Sequence, residues 1–372
     1  MKCSPSSLST SSFLMTHRFR WVFCQLDELK KCRTRQKFIE ALYSLPENLA
    51  GTYERIIDGV DASFREHTLR SLAWIAFAQR PLTVREVAES AVLNLEEDEV
   101  FNPDDRFLDP LNDVLELLGS LVILQRSDTA DQKSPEPELP GSGHETGPSE
   151  YAVVKLAHFT VKEYLTTRWK SVNGQDIGAT PEDANFLLSK GCLRYAIFAL
   201  HRLDDGLELD GKEFPLFYYA SNFWPKHIRG LPTLLNRQLE GLKLEILKEP
   251  TPLDQWRHTY RDVLAIDSTQ LHYAAHHDCL KLVQELVDQG VDATVRNSQG
   301  ITPAHLAANE GYEEVIQVLM ESIGPQLERR AVIPSPLYYA CREGHVSTCE
   351  AILKYLNPMV SWEQKPYSPL RK

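Results

Sequence analysis

Thr269-Gln-Leu-His-Tyr-Ala-Ala275, Thr302-Pro-Ala-His-Leu-Ala-Ala308 and Ser335-Pro-Leu-Tyr-Tyr-Ala-Cys341 begin 33 residues apart at both steps. A fixed interval of this size marks a repeating supersecondary unit and outranks local propensity in deciding the architecture. The register persists downstream. Leu282, Val315 and Thr348 share one position, Leu286, Leu319 and Ile352 a second, and Val287, Met320 and Leu353 a third. These positions lie at helical spacing, so each unit predicts a second helix whose apolar stripe is covered by the neighbouring unit.

The residue types suit that geometry. Thr302 predicts a helix N-cap, and Pro303 stands in the first turn, where a missing N–H costs nothing. Ala307 and Ala308 let paired helices approach closely, while Gly311 and Gly344 serve the turns between helices and Gly300 a hairpin tip. His272 and His305 read as structural hydrogen-bonders rather than metal ligands. The period and the T-P-L-H-x-A pattern resemble the ankyrin repeat family. The resemblance implies an α-solenoid of about three repeats over residues 264–358 that binds protein partners through turn tips and first-helix residues. Positions that the scaffold does not commit to packing are His276, His277, Ser298, Gln299, Ile301, Asn309, Glu310, Arg342 and Glu343, and these are the candidate protein-binding residues. Asp267 and Ile333 replace the hairpin glycine, and Thr269-Gln270 replaces the T-P pair, so only the middle repeat is fully formed. The array reads as truncated, with no evident polar cap and a tail over 359–372.

Upstream, Phe38, Leu42 and Leu45, then Leu49, Tyr53, Ile56, Ile57 and Val60, predict two amphipathic helices broken near Pro46. A third helix runs through Leu69, Leu72, Ala73, Ile75 and Ala76. Thr83-Val-Arg-Glu86 is a capping box that opens the next. Another follows Pro110 and ends at Gly119. Two β-type runs, Leu121 to Leu124 and Tyr151 to Leu156, precede a helix from Thr160 to Trp169. Helices followed by a hairpin give winged-helix order over 63–170, with 127–150 expected to be a disordered wing, because so few apolar residues cannot offset the entropy of ordering. A helical linker domain is expected over 183–262. The fold class is therefore mostly α.

Charge narrows the function. The net charge of −12 is concentrated: residues 127–150 carry six acids against Lys133, and 96–109 carry seven against Arg106, together −11. The remainder is nearly neutral and lacks the basic stripe that nucleic acid or an anionic membrane requires. The helix that would enter a DNA groove offers Asp113 and Glu116 with no Lys or Arg, which opposes phosphate contact. Seven cysteines without a C-x-x-C pair read as reduced thiols, which implies a reducing, cytoplasmic setting. No run approaches the ~20 apolar residues of a membrane span, and the polar residues 1–18 read as an unstructured leader.

Phe19-Arg-Trp-Val-Phe-Cys-Gln-Leu-Asp-Glu-Leu29, Leu45-Pro-Glu-Asn-Leu49, Thr52-Tyr-Glu-Arg-Ile56, Arg80-Pro-Leu82, Leu156-Ala-His-Phe-Thr-Val-Lys-Glu-Tyr-Leu165 and Tyr219-Ala-Ser-Asn-Phe-Trp-Pro-Lys-His227 resemble the stretch that follows the NTPase core in fungal NACHT-ankyrin proteins, which are NOD-like signal-transduction NTPases. The resemblance makes residues 19–62 a helical remnant after such a core. It also implies that His158 occupies the winged-helix position that meets the ADP β-phosphate. By itself, His158 reads as a local cap at a strand-to-helix junction, because the chain contains no G-x-x-x-x-G-K-[ST] loop to hold a phosphate. No G-x-S-x-G or H-E-x-x-H motif occurs either. The expectation is a non-enzymatic interaction module with no cofactor, no metal, and protein partners rather than nucleic acid or membrane. The alternative is a fragment of an ATP- or GTP-dependent switch whose nucleotide core lies outside these residues.

Overall fold

Short polar side chains set the starts of the first capped helices. Helical residues 20–27 come first. Thr34 then caps α1 (Arg35–Tyr43) by accepting the Lys37 N–H, and Asn48 caps α2 (Leu49–Asp58) by accepting the Gly51 N–H at 2.8 Å, with Pro46 in the break between them. The structure, a computed structural model, describes residues 20–27, 29–95, 101–125, 151–168, 180–204, 213–229, 231–248, 265, 267–323 and 335–356. The leader 1–18, the insert 127–150 and the tail 359–372 lie outside the described residues. The described residues are mostly helical and fall into two units, Met1–Thr233 and Leu234–Lys372.

In the first unit α3 (Arg65–Phe77) leads into β1 (Leu82–Thr83) and α4 (Val84–Ala91), then α5 (Pro110–Leu118), β2 (Val122–Gln125), β3 (Val153–Leu156) and α6 (Phe159–Arg168). The sheet order is β1-β3-β2, antiparallel throughout, with Leu82 opposite Val154 and Val122 opposite Leu156. Thr83 and Glu86 form the capping box of α4. Leu72, Trp74, Leu82, Val87, Val154 and Val161 are buried, and α3 packs on α4 and β3.

The long α7 (Pro181–Asp204) and α8 (Phe217–Ile228) pack side by side. Gly191 lets α7 touch the core indole, since a Cβ there would stand 2.9 Å from Trp74 Cζ2. Two carboxylates on α4 are buried, each held by a half-buried arginine. Glu86 takes a two-pronged contact from Arg80, while Glu89 takes one from Arg106 and a 2.6 Å hydrogen bond from the Tyr195 hydroxyl. A lone buried carboxylate would be expelled or protonated, so the two arginines are structural necessities.

The second unit is a stack. The short α9 (Thr233–Gln238) and α10 (Glu240–Lys248) precede three helix pairs: α11 (Gln270–His276) with α12 (Leu280–Asp288), α13 (Pro303–Glu310) with α14 (Glu313–Ile323), and α15 (Pro336–Glu343) with α16 (Val346–Leu356). First helices pack on first helices and second on second, α11 on α13 on α15 and α12 on α14 on α16. This is the two-layer arrangement of an α-solenoid. Leu282, Val315, Leu286, Leu319, Met320 and Ile352 are buried at the positions their 33-residue register predicts.

Candidate binding face of the repeat array

The joint between successive repeats is built by histidines used as caps. The Thr269 N–H donates to His272 Nδ1 at 3.1 Å, and the Thr302 N–H donates to His305 Nδ1 at 3.2 Å. Each imidazole thus does what Glu does in a capping box, reaching back from the third helical position to the cap. With Nδ1 accepting, the proton sits on Nε2, and His272 Nε2 donates to the Ile301 carbonyl of the next repeat at 3.0 Å. Burial pushes the His272 pKa down and keeps the ring neutral. These two side chains are therefore spent on the scaffold.

Asn297 builds the middle tip. Its Oδ1 accepts from the Gln299 and Ile301 N–H groups, and its Nδ2 donates to Ser268 Oγ in the preceding repeat at 3.1 Å. Asp267 accepts from both the N–H and the hydroxyl of Ser298 at 3.0 Å, which holds its carboxylate below the usual range. Ser298 and Gln299 project as exposed residues from this turn, with Ile301 half-buried. Asn297 and Asp267 carry the tip, yet neither recurs in the 33-residue register, so no periodic signal points to them.

The helix ends form a second cluster. Arg342 Nη2 donates to Asn309 Oδ1 at 2.8 Å across one period, and its Nε donates to Glu343 at 2.7 Å. Asn309 Nδ2 donates to Glu310 at 3.1 Å. His345 Nε2 meets the Asn309 carbonyl at 3.0 Å. The Arg342 guanidinium lies 5.1 Å from the centre of the Tyr339 ring, which stands edge-on to Tyr338. Asn309, Glu310, Arg342 and Glu343 are thus brought together as one hydrogen-bonded patch.

Tyr338 was not among the sequence candidates, although it is 51% exposed. It occupies the register position of His272 and His305, and tyrosine has no ring nitrogen to accept the cap N–H. The substitution itself is the signal that could have found it.

His276 and His277 require a correction. They were expected on the binding face, but both are buried, 8% and 3% exposed, with their rings edge-on to each other. The next residue, Asp278, takes a left-handed conformation (φ 52°), and α10 packs on α11 and α12. This end of the first repeat is covered rather than presented.

In the first unit, His158 Nδ1 accepts the Thr160 N–H at the start of α6 and lies 2.8 Å from the Thr160 hydroxyl, which in turn meets the Tyr53 hydroxyl at 2.7 Å. The geometry is that of a local cap. Among the described residues, no group of His, Cys, Asp and Glu is arranged to hold a metal ion, and no helix is long and apolar enough to cross a membrane.

Comparison with known proteins bears on the array first. Residues 271–361 match the family model for ankyrin repeats in three copies. Over 207 residues the chain is 25% identical to the azaphilone pigments biosynthesis cluster protein L of Monascus ruber, a match covering 54% of this chain and 40% of that protein. Over 68 residues it is 37% identical to the human ankyrin repeat domain-containing protein SOWAHB, covering 17% of this chain and 9% of that one. The chain therefore spans less than half the length of either curated relative. The 33-residue period, the two-layer stack, the histidine caps and the family match agree that the C-terminal region of this chain carries ankyrin repeats.

Proposed function

We propose that this chain is a non-enzymatic protein-interaction module that reads its partner through Ser298 and Gln299 at the middle tip and through Tyr338, Asn309, Arg342 and Glu343 at the helix ends. The observation that carries the reading is the division of labour in the array. Leu282, Val315, Leu319 and the cap histidines are buried, whereas the exposed remainder of the third repeat presents Tyr338 and Arg342. Tyr and Arg are the residue types that most often dominate binding energy. The first unit serves as a winged-helix and helical spacer, derived from a NOD-like signalling protein of the cytoplasm.

The test is capture from a lysate with the full chain as bait, wild type against a combined Gln299→Ala, Tyr338→Ala, Arg342→Ala variant. Loss of about 2 kcal/mol or more of affinity in the variant is expected for a surface contact, against a stability loss of about 1 kcal/mol from the Arg342–Asn309 hydrogen bond. A partner held equally by both proteins would not be read by this face. The nucleotide-switch alternative rests on His158, whose Nδ1 is occupied by the Thr160 N–H. Saturable ATP binding to the full chain, lost on His158→Ala, would favour it instead.

A further inference from the structure

Two thiols face each other in the last helix pair. Cys341 near the end of α15 and Cys349 in the first turns of α16 have their Sγ atoms 3.3 Å apart, and both are free. A disulfide needs about 2.0 Å, so the two sulfurs stand only about 1.3 Å beyond bonding distance. Exposure divides the pair: Cys341 is exposed and Cys349 is half-buried. The remaining described thiols contrast with them, since Cys24, Cys192 and Cys279 are buried, and Cys32 lies 3.8 Å from the Lys37 carbonyl.

We propose that Cys341 and Cys349 are a reversible dithiol site that takes small-molecule disulfides such as oxidised glutathione. The Cys341 thiolate attacks one sulfur of glutathione disulfide, forming a mixed disulfide and releasing one glutathione thiolate. Cys349 then gives up its proton to solvent, and its sulfur attacks Cys341 Sγ and expels the second glutathione thiolate. In sum, two protein thiols and one glutathione disulfide become one protein disulfide and two glutathione molecules, so atoms and electrons balance. The order follows from access, because an incoming disulfide reaches the exposed thiol first and the half-buried one resolves it. Burial and the neighbouring Cys341 push the Cys349 thiol up to about 11, which keeps it protonated as the second participant.

The bond would close the turn spanning residues 341–349. That turn holds Arg342 and His345, whose hydrogen bonds to Asn309 join the third repeat to the second. Oxidation therefore clamps the third helix pair in the arrangement that makes this joint. The inference does not depend on the array having a partner.

The experiment treats native full-length chain with oxidised glutathione and follows intact mass, peptide mapping and thermal unfolding. Wild type is expected to lose both thiols at these positions, to yield a Cys341–Cys349 cross-linked peptide without retained glutathione, and to unfold at a higher temperature than the reduced form. Cys349→Ser is expected to stop at the mixed disulfide, with one glutathione on Cys341. The thermal shift should vanish in both Cys349→Ser and Cys341→Ser and reverse in wild type on adding dithiothreitol. Separate glutathione adducts on Cys341 and Cys349 in the folded wild type, or a Cys349→Ser protein that takes no adduct at Cys341, would overturn the proposal. The wild-type peptide map decides the matter even if a variant folds poorly.

Discussion

Gly311 and Gly344 occupy one register position, with φ of 83° and 80°, but their surroundings differ. A Cβ at Gly311 would stand 2.6 Å from His345 Nδ1, whereas one at Gly344 meets nothing within 4 Å. Both substitutions by alanine impose a left-handed backbone on an L side chain, at a cost of about 1–3 kcal/mol. Only Gly311→Ala also displaces the ring that bonds the Asn309 carbonyl. It should therefore destabilise the array by roughly 1 kcal/mol more than Gly344→Ala, that being the net worth of a typical hydrogen bond. Denaturant melts of the two variants check this, and equal losses would show that the His345 contact contributes nothing. One period earlier the same position is Asp278, which pays the conformational cost with a non-glycine residue. Its carboxylate is recruited by Asn236 Nδ2 at 2.5 Å, which explains why glycine was not required there.

That recruitment belongs to a larger device between elements. Lys243 on α10 is fully buried, and its Nζ donates to Asn236 Oδ1 at 3.1 Å and to the Asp278 carbonyl, with the Glu240 carboxylate 3.3 Å away. Glu240 also accepts the Lys281 N–H at 2.9 Å, capping the start of α12. Lys243→Ala strips the cation from this cluster and leaves Glu240 and the Asp278 carbonyl without it, so a loss of about 3–5 kcal/mol is expected. Urea unfolding of the full chain followed by hydrogen exchange over 270–288 measures it, and a loss under ~1 kcal/mol would mean that the cluster is solvated in practice. The repeats themselves were legible in the sequence because their packing is periodic: the same apolar positions recur every 33 residues, and Leu282, Val315 and Leu319 are buried accordingly. The α9–α10 pair was not legible, because it shares no register with the repeats and docks through Asn236, Glu240 and Lys243, residue types that read as solvent-facing. The misplacement of His276 and His277 has the same origin, since a scaffold position is open only if no neighbour covers it.

At the scale of the whole chain, the two units carry buried titratable groups of opposite sign, which makes acid a probe of each separately. In the first unit the Tyr219 hydroxyl accepts the Gln79 N–H at 2.8 Å and donates to His227 Nε2 at 2.8 Å, while His227 Nδ1 donates to Asn185 Oδ1 at 2.9 Å. This chain of donors is complete only with a neutral imidazole. Burial pushes the His227 pKa from 6.5 down to about 4, so the unfolded state binds the extra proton between those values. The stability contributed by the neutral ring is present above pH 6.5 and is lost as pH falls through about 4. In the second unit Asp278 runs the other way: burial, opposed by Lys243, raises its carboxyl to about 6, so acidification relieves rather than creates a buried charge. His227→Gln keeps an acceptor for Tyr219 and cannot titrate. Wild type should therefore lose about 1–3 kcal/mol more than His227→Gln between pH 7 and pH 4, a tenfold change in proton affinity being worth about 1.4 kcal/mol. Hydrogen exchange resolved by peptide locates the effect. The excess loss is expected in 181–228 and absent from 270–320, and a wild-type profile parallel to that of the variant would mean that the ring is already free to protonate in the folded unit.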